Sequence, residues 1–473
     1  MIQRAFGLTT DLYELTMAAA YFENGINSRA IFDLFIRRLP NHRSFLITAG
    51  LEQALEYLSE FRFTDSQIDY LREHPSFNKV SKEFFDYLSE VRFTGDVWAM
   101  PEGTVAFGME PLLRVEAPII EAQVAETFLL STINFQTMIA SKASRVVAAA
   151  QTRDVIEFGT RRAHGTEAGL LAARAAFIGG CIGTSNVEAG YIFGLPTFGT
   201  LAHSFVMAFE NEDQAFAAFL RLFPDTGTVL VDTYDTIAAV KRLARDFGSS
   251  VPAVRLDSGD LCELSKQVRA ILDSSGMSAT KIFASSDLNE RSISDLLSRG
   301  AQIDAFGVGT ELATSFDSPS MSAVYKLAGL ERDGHMLSTI KLSDHKSTYP
   351  GAKQVWRRVG DNGGFAGDLI SLADEAAPQE GVWQSLLTPM IKKGKVIAAH
   401  SNTDDTDPAT LRAARLSDLN NARDRARDQV GKLPSELRRL DTTSSYRVEF
   451  SERIHEERKR IEQRLTLANH VNL

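Results

Sequence analysis

The chain has 473 residues, more than a single hydrophobic core usually supports, so its length predicts two domains. Hydrophobic residues make up 44% and charged residues 24%, and no stretch reaches the roughly 20 apolar residues of a membrane helix, so the composition argues against disorder and against a membrane span. A formal net charge of -10 argues against nucleic acid as a partner, although an acidic protein can contain a basic pocket for an anionic substrate.

Residues 1–133 mix helical and strand-like patterns. Two stretches have helical spacing, LYELTMAAAYF and SFLITAGLEQALEYLSEF, and two are strand-like, DVWAMPEGTVAF and EPLLRVEAPII. Proline and glycine interrupt the strand-like stretches and keep them short. This part of the chain is therefore predicted to be α+β.

Residues 134–325 contain short apolar runs, each followed by a stretch with helical spacing. The runs are DVIEF, LPTFG, VLVD, AVRLD, KIFAS and DAFGV. They are too short for helices and rich in Val, Ile and Phe, which predicts strands that alternate with helices in a parallel sheet. In such sheets, and above all in closed (β/α)8 barrels, catalytic groups gather at the carboxyl ends of the strands. We therefore predict an α/β barrel with its active site where these runs end.

Residues 326–473 begin with hairpin-like pieces and finish with charged amphipathic helices. One apolar stripe is formed by Leu419, Ala422, Ala426, Val430 and Leu433. The expectation is a solvated helical tail that packs on its own protein.

Small polar clusters follow the predicted strands. His203 follows LPTFG, and aspartates follow three other runs, namely Asp232, Asp235, Asp257, Asp260 and Asp287. Carboxylates at neighbouring strand ends can orient an imidazole, hold Mg²⁺ through its waters or stabilise a developing cation, whereas Asp also favours helix N-caps. We expect Asp232 and Asp257 to be functional and Asp235 and Asp260 to be caps. A single histidine is more often structural, but these neighbours favour a functional His203.

A phosphate site is predicted after the last run. Gly307, Gly309 and Thr310 in GVGT offer bare backbone N–H groups at the start of a helix, although a tight turn would also explain the glycines. Arginines beside or within the strands are Arg161, Arg162 and Arg255. Because arginine near a strand end is rarely buried without an anionic partner, these residues suggest a carboxylate or phosphate ligand.

Eight segments, in order along the chain, resemble the nicotinate phosphoribosyltransferase family: TDLYELTMAAAY, FIRRLP, EFGTRRAHG, GTLAHS, LVDTYDT, VRLDSGDL, GVGTEL and YPGAKQVWR. The resemblance implies a type II phosphoribosyltransferase fold, which is an irregular α/β barrel with a second α+β domain built from both chain ends. This agrees with a division into residues 1–133, 134–325 and 326–473.

The resemblance also implies an activity in NAD biosynthesis. The ring nitrogen of nicotinate attacks C1 of phosphoribosyl pyrophosphate and gives nicotinate mononucleotide and pyrophosphate, while ATP is hydrolysed. His203 matches the histidine that ATP phosphorylates. Asp232 and Asp257 match the acidic pair near the reacting carbon, where negative charge stabilises an oxocarbenium-like state. Mg²⁺ is implied as the ion that neutralises the leaving pyrophosphate, with no metal ligand assigned.

The residues around nicotinate are implied in the same way. Tyr13 and Phe158 match an aromatic pair that sandwiches the pyridine ring. In relatives the tyrosine comes from the neighbouring subunit, so a homodimer with shared active sites is implied. Thr200, Arg161 and Arg255 match positions around the ring and its acid group.

For the phosphates, Gly307, Gly309 and Thr310 match the phosphoribosyl phosphate site. Contacts to the polyphosphate are suggested by position alone for Lys326, Lys341 and Lys346.

Other functions remain open. Nicotinamide phosphoribosyltransferase shares the architecture and the histidine but holds the carboxamide with an additional acidic residue, and this chain has Ser185 and Asn186 in the matching stretch. Quinolinate phosphoribosyltransferase is disfavoured because its members are much shorter and lack the phosphorylated histidine. An inactive relative that binds partners through its charged tail is disfavoured by the intact His203, Asp232 and Asp257.

The protein is expected to work in the cytoplasm. Its only cysteines are Cys181 and Cys262, which argues against a disulfide framework. The segment MIQRAFGLTTDLYELTM has neither the apolar core nor the cleavage site of a secretory signal.

Overall fold

The structure is a computed structural model and describes residues 5–341, 348–397, 407–441 and 443–471. Of the predicted site residues, Lys346 lies outside these ranges. The helices are α1 (Leu12–Glu23), α2 (Leu51–Glu60), α3 (Asp65–Glu73), α4 (Lys82–Glu90), α5 (Ile119–Val124), α6 (Glu126–Ala150), α7 (Thr166–Ile178), α8 (Val187–Phe193), α9 (His203–Met207), α10 (Glu212–Leu222), α11 (Thr236–Phe247), α12 (Leu261–Ser274), α13 (Glu290–Ser298), α14 (Thr310–Ala313), α15 (Pro408–Gly431) and α16 (Glu452–Val471). Short 3-10 helices lie at Pro75–Phe77, Thr160–Arg162, Gly248–Ser250 and Ser435–Arg438.

The strands are β1 (Arg29–Ile36), β2 (Leu46–Ile47), β3 (Asp96–Ala99), β4 (Val105–Ala106), β5 (Pro111–Pro118), β6 (Asp154–Glu157), β7 (Gly183–Thr184), β8 (Thr228–Leu230), β9 (Ala253–Leu256), β10 (Lys281–Ser286), β11 (Ala305–Val308), β12 (Ala323–Arg332), β13 (His335–Ser338), β14 (Lys353–Val359), β15 (Phe365–Leu372), β16 (Val382–Ser385), β17 (Thr388–Lys392), β18 (Lys395–Val396) and β19 (Val448–Phe450).

One compact unit, here called the antiparallel unit, comprises Met1–Thr137, Ser320–Asp404 and Asp428–Leu473. Its largest sheet has the strand order β13-β12-β1-β5-β3-β17-β18, with antiparallel neighbours throughout. Helix α4 shows why the helices pack here, because Phe84, Phe85 and Leu88 at helical spacing are buried and join the same core as the sheet residues.

The other compact unit, here called the parallel unit, comprises Met138–Pro319 and Asp405–Arg427. Its sheet has the order β7-β6-β11-β10-β9-β8, and every neighbouring pair is parallel. Strand residues such as Val254, Ile282 and Phe306 are fully buried, as expected for the apolar strands of a parallel sheet. The predicted α/β architecture with a parallel sheet is confirmed.

One predicted strand is wrong. LPTFG contributes a single bridge, in which Thr197 pairs with Thr184, and the strand beside β6 is the two-residue β7. Pro196 has no N–H to donate, so it limits the ladder that this segment can form. Among the described residues no strand pair joins β7 to β8, so closure into a barrel stays a prediction.

The two aspartates that the sequence assigns to helix N-caps do cap helices. Asp235 accepts a hydrogen bond from the backbone N–H of Ala238 at the start of α11. Asp260 accepts from the backbone N–H groups of Cys262 and Glu263 at the start of α12. Both are N-caps, as the sequence predicted.

The division into units falls a few residues from the predicted boundaries after residues 133 and 325. The part of α15 up to Arg427 belongs to the parallel unit, whereas the prediction grouped all of it with the C-terminal region. Leu419, Ala422 and Ala426 of the predicted stripe are buried. Within the described ranges, no helix is long and apolar enough to cross a membrane.

Candidate active site

A hydrogen-bonded group of side chains, here called the carboxyl-edge cluster, consists of Thr200, Asp232, Arg255, Asp257 and Ser285. Arg255 of β9 is its centre. Its Nε donates to Ser285 Oγ at 2.7 Å, Nη1 to Thr200 Oγ1 at 2.6 Å and Nη2 to Asp257 Oδ1 at 2.8 Å. The Arg255 side chain is only 11% exposed, so these three partners take the place of water for its N–H donors. The cluster lies where β8, β9 and β10 end, as predicted for the aspartates.

Asp232 joins the cluster from the end of β8. Its Oδ2 accepts the backbone N–H of Asp257 at 2.9 Å and the hydroxyl of Ser258 at 2.6 Å. Its Oδ1 is buried and has no hydrogen-bond partner in the described part of the chain. One carboxylate oxygen is therefore left for a ligand, a water or an ion.

The charge on Asp257 is stabilised by its neighbours. Partial burial disfavours the ionised form, but hydrogen bonds from Ser285 and Arg255 and the positive charge of Arg255 outweigh it and hold the pKa of Asp257 below its usual range. Ser285 Oγ lies 2.5 Å from Asp257 Oδ1, so the hydroxyl donates to the carboxylate while it accepts from Arg255. Asp257 is therefore an anion at neutral pH.

His203 is the first residue of α9 and stands beside the cluster. Its Nδ1 lies 3.2 Å from Thr233 Oγ1, and its Nε2 lies 3.9 Å from Asp257 Oδ2. The side chain is 42% exposed, so it is open to a reactant from solvent.

An aromatic surface lies next to the cluster. The ring centroids of Phe158 and Phe283 are 5.4 Å apart, and Phe283 is the residue of β10 paired with Arg255. Gly307, within β11, sits against both rings: an added Cβ would lie 2.8 Å from Phe158 Cδ2 and 2.8 Å from Phe283 Cζ. The glycine is therefore explained by this aromatic packing as well as by any role toward phosphate.

The predicted phosphate segment follows β11. Gly309 precedes the four-residue helix α14, and Thr310 begins it; both are half-buried. Gly159 fits closely against this segment, since an added Cβ would lie 2.7 Å from the carbonyl oxygen of Gly309. Arg161 is exposed in the 3-10 helix after β6, and no contact links it to the carboxyl-edge cluster among the described residues.

The other predicted residues lie in the antiparallel unit. Tyr13 on α1 is 47% exposed. Lys326 on β12 lies 3.8 Å from Glu126 Oε1, and the side chain of Lys341 is exposed.

Sequence reasoning missed Ser285, Thr233 and Glu157. Ser285 shares a face of β10 with Phe283, and the register that pairs Phe283 with Arg255 brings Ser285 beside Asp257. The alternation was visible in the sequence, but the register was not. Glu157 is fully buried, accepts from Thr184 Oγ1 at 2.6 Å and from the N–H of Gly159, and burial raises its pKa. Its place in EFG directly before Phe158 was the available signal.

Known proteins match the chain along nearly its whole length. Family models match residues 8–134 (nicotinate phosphoribosyltransferase N-terminal domain), 154–353 (nicotinate phosphoribosyltransferase family) and 352–458 (nicotinate phosphoribosyltransferase C-terminal domain). A nicotinate phosphoribosyltransferase of Mycobacterium tuberculosis is 47% identical over 460 residues, which cover 96% of this chain and 93% of that protein.

A second relative and a solved structure point to the same family. The nicotinate phosphoribosyltransferase of Bacillus subtilis is 39% identical over 485 residues and covers 98% of each chain. The crystal structure of human nicotinic acid phosphoribosyltransferase superposes with a TM-score of 0.80 at 27% identity and covers 94% of this chain and 98% of the human one. Three consecutive family matches and relatives of this similarity show that the chain belongs to the nicotinate phosphoribosyltransferase family.

Proposed function

We propose that this protein transfers the phosphoribosyl group of phosphoribosyl pyrophosphate to nicotinate and so makes nicotinate mononucleotide for NAD biosynthesis. The observation that carries the proposal is the hydrogen bond from Arg255 Nη2 to Asp257 Oδ1 at 2.8 Å, next to Asp232, which accepts from the N–H of Asp257. Phe158 packs against Phe283, the residue of β10 that is paired with Arg255. An aromatic face and a guanidinium suit a pyridine ring with a carboxylate, and paired aspartates suit a carbon that becomes positive. Family membership supports the same substrates.

The proposed transfer is a substitution at C1 of the ribose. The lone pair of the pyridine nitrogen forms the new bond to C1 while the C1–O bond breaks and its electron pair leaves with pyrophosphate. C1 becomes oxocarbenium-like between these events. Asp257, whose pKa is held below its usual range despite partial burial, and Asp232 supply fixed negative charge without forming a bond to the carbon.

Nicotinate is held in this proposal by one aromatic ring and three polar side chains of the parallel unit. Phe158 covers one face of the pyridine ring, and stacking of this kind contributes about 0.5–1.5 kcal/mol beyond buried area. Arg255 and Thr200 lie beside the acid group, and the Arg255 guanidinium has N–H donors beyond the three already bonded. Arg161 is proposed to reach the substrate from the segment after β6.

Phosphate binding is proposed for the segment after β11. The backbone N–H groups of Gly309 and Thr310, with the Thr310 hydroxyl, would receive the 5-phosphate. Gly307 would support this site from within β11. Roles for Lys326, Lys341 and Lys346 toward the polyphosphate remain predictions from position.

ATP coupling is proposed to run through His203. Nδ1 of His203 is within hydrogen-bond distance of the Thr233 hydroxyl, whereas Nε2 has no hydrogen bond among the described residues. The ring is partly exposed. Nε2 would form a bond to the γ-phosphorus of ATP as the bond to ADP breaks, and water would later release phosphate. Asp257 Oδ2 lies 3.9 Å from this nitrogen.

The donor set fits Mg²⁺ carried by the substrate. No group of three or more His, Cys, Asp and Glu that could hold a metal ion occurs in the described ranges. Mg²⁺ typically keeps several waters and binds one or two carboxylates together with phosphates, and Asp232 Oδ1 is a buried oxygen without a partner. Asp232 would hold such an ion through a water, and the ion would neutralise charge on the leaving pyrophosphate.

A homodimer with shared sites is also proposed. Several large apolar side chains are exposed in this single chain, including Tyr13, Tyr234 and Phe316. Exposed aromatic residues are typical of surfaces that a partner covers. The proposed partner is a second copy, whose Tyr13 would cover the other face of the pyridine ring.

The position that would hold a carboxamide argues against nicotinamide. Asn186 uses its Oδ1 to cap α8 through the N–H of Ala189, and Ser185 has no carboxylate to offer. Glu157 is close in the fold but fully buried and bonded to Thr184 and Gly159. A non-enzymatic role as an inactive relative is disfavoured because all the residues of the carboxyl-edge cluster are present and hydrogen-bonded to one another.

The test is direct detection of both products. Purified protein is incubated with nicotinate, phosphoribosyl pyrophosphate, ATP and Mg²⁺, and nicotinate mononucleotide and pyrophosphate are measured in equal amounts over time. The Asp257→Asn variant keeps the shape of the side chain but not its charge and is expected to be nearly inactive. Absence of nicotinate mononucleotide from the folded parent would refute the proposal.

A further inference from the structure

Lys142 on α6 is a buried ammonium that contacts three carboxylates of the parallel unit. Its side chain is 1% exposed, and its Nζ lies 2.6 Å from Glu290 Oε2, 2.9 Å from Asp317 Oδ1 and 3.7 Å from Glu311 Oε2. One helical turn later, Arg145 Nε donates to Glu290 Oε1 at 3.0 Å. None of these residues belongs to the carboxyl-edge cluster.

The three acids come from the segments that follow two neighbouring strands. Glu290 begins α13 after β10, the strand that carries Ser285. Glu311 follows Thr310 in α14, and Asp317 lies a few residues further on, both after β11. β10 and β11 are paired in the sheet. Lys142 therefore ties the segment after β11 to the segment after β10.

The contact between the segments after β10 and β11 depends on the positive charge of Lys142. Burial disfavours ionised Glu290, but Lys142 and Arg145 hold its pKa below the usual range, whereas burial raises the pKa of Glu311. Removal of the ammonium would leave carboxylates facing one another with little solvent, an arrangement that repels. The segment from Gly309 to Asp317 would then move away from Glu290.

We propose that Lys142 is a positioning residue for phosphoribosyl pyrophosphate: by holding Glu311 and Asp317 against Glu290, it fixes the backbone of Gly309 and Thr310 where the 5-phosphate binds. This inference rests on the proposed function. Lys142 does not touch the substrate, and its effect is through the segment after β11. Gly159 fits closely against Gly309, so a displacement of this segment would also disturb that packing.

The decisive variant is Glu311→Gln/Asp317→Asn, which releases the segment while the Lys142–Glu290 pair stays intact. By charge alone, loss of two negative charges beside Thr310 would strengthen binding of a phosphate anion. A positioning role predicts the opposite, with binding weakened about tenfold or more. The measurement is the Kd of ribose 5-phosphate by calorimetry, together with the KM values for phosphoribosyl pyrophosphate and nicotinate.

Two single variants complete the design. Lys142→Met is expected to raise the KM for phosphoribosyl pyrophosphate with little change for nicotinate, and to speed hydrogen exchange in residues 309–318. Lys281→Met is the matched control, because Lys281 is an exposed lysine at the opposite end of β10. If Lys142→Met does not fold, the double variant still tests the positioning role, because Lys142 keeps its pair with Glu290 in that protein.

The outcomes separate this inference from the proposed function. Unchanged or tighter ribose 5-phosphate binding by the double variant, or a folded Lys142→Met that behaves as Lys281→Met does, overturns the positioning role. If the parent binds ribose 5-phosphate and the variants bind it less, but no nicotinate mononucleotide forms, the positioning role stands and the proposed function falls. A parent that does not bind ribose 5-phosphate overturns the inference.

Discussion

Nε2 of His203 has no hydrogen bond among the described residues, and the ring is partly exposed. This nitrogen is the basis of a prediction about energy coupling. His203→Ala should abolish ATP hydrolysis and covalent labelling by γ-labelled ATP, yet leave slow transfer without ATP because Asp232 and Asp257 remain. Labelling is measured on denatured protein, where a phosphohistidine is acid-labile and base-stable.

The control for this experiment is His335→Ala, which changes an exposed histidine on β13 of the antiparallel unit. It should be labelled as the parent is. Undiminished labelling of His203→Ala would show that the phosphoryl group is carried elsewhere.

Glu14 on α1 gives a prediction about pH and stability. Burial raises its pKa to about 7 from an ordinary value of 4.5, although Thr127 Oγ1 donates to it at 2.8 Å. Between these values the folded state holds a proton that the unfolded state has lost, so the free energy of unfolding falls as pH rises from about 4.5 to about 7. Glu14→Gln should therefore stabilise the protein at pH 8 more than at pH 5.

Urea unfolding at the two pH values measures this difference. Glu60→Gln, an exposed change on α2, should shift stability little at either pH. An equal effect of Glu14→Gln at pH 5 and pH 8 would mean that Glu14 does not titrate as described.

At the scale of elements, the end of β11 is fixed by what packs against it. Gly307→Ala would place a Cβ 2.8 Å from atoms of Phe158 and Phe283, so one ring must move. We expect the KM for nicotinate to rise about tenfold while the protein stays folded, because the strain falls on the ring that is proposed to stack on the substrate.

Gly431→Ala at the end of α15 is a suitable control, since an added Cβ there meets no atom within 4 Å. It should leave both KM values as they are in the parent. Gly307→Ala with parental nicotinate kinetics would contradict the assignment of Phe158 to the pyridine site.

The elements that could be predicted are those that a local pattern determines. Five of the apolar runs became strands of one parallel sheet, and Asp235 and Asp260 became caps because each stands directly before a helix. The prediction of a strand at LPTFG was wrong because Pro196 has no backbone N–H to donate and the neighbouring strand β7 is short. Strand order and register depend on contacts distant in sequence, so Ser285 beside Asp257 could not be predicted from one sequence.

At the scale of the whole molecule, the account predicts that active sites are shared. Tyr13→Ala and Asp257→Ala, each nearly inactive alone, should regain activity when unfolded together and refolded as mixed dimers, because one site then combines an intact Tyr13 with an intact Asp257. Activity and subunit exchange are measured on the same samples. Exchange without recovery, from inactive parents, would mean that Tyr13 acts within its own chain.

The central claim is transfer to nicotinate, and competition tests it most directly. Nicotinate and nicotinamide are supplied together at equal concentrations with limiting phosphoribosyl pyrophosphate and ATP, and the two mononucleotides are quantified by mass spectrometry. Their ratio equals the ratio of kcat/KM values. The account predicts at least about 100-fold more nicotinate mononucleotide, or about 2.7 kcal/mol, because a charge-assisted contact with Arg255 is available only to the acid. Arg255→Lys should lower the ratio of nicotinate mononucleotide to nicotinamide mononucleotide, because the lysine ammonium lacks the planar, two-pronged donor geometry of guanidinium. Equal or greater formation of nicotinamide mononucleotide by the parent would contradict the account.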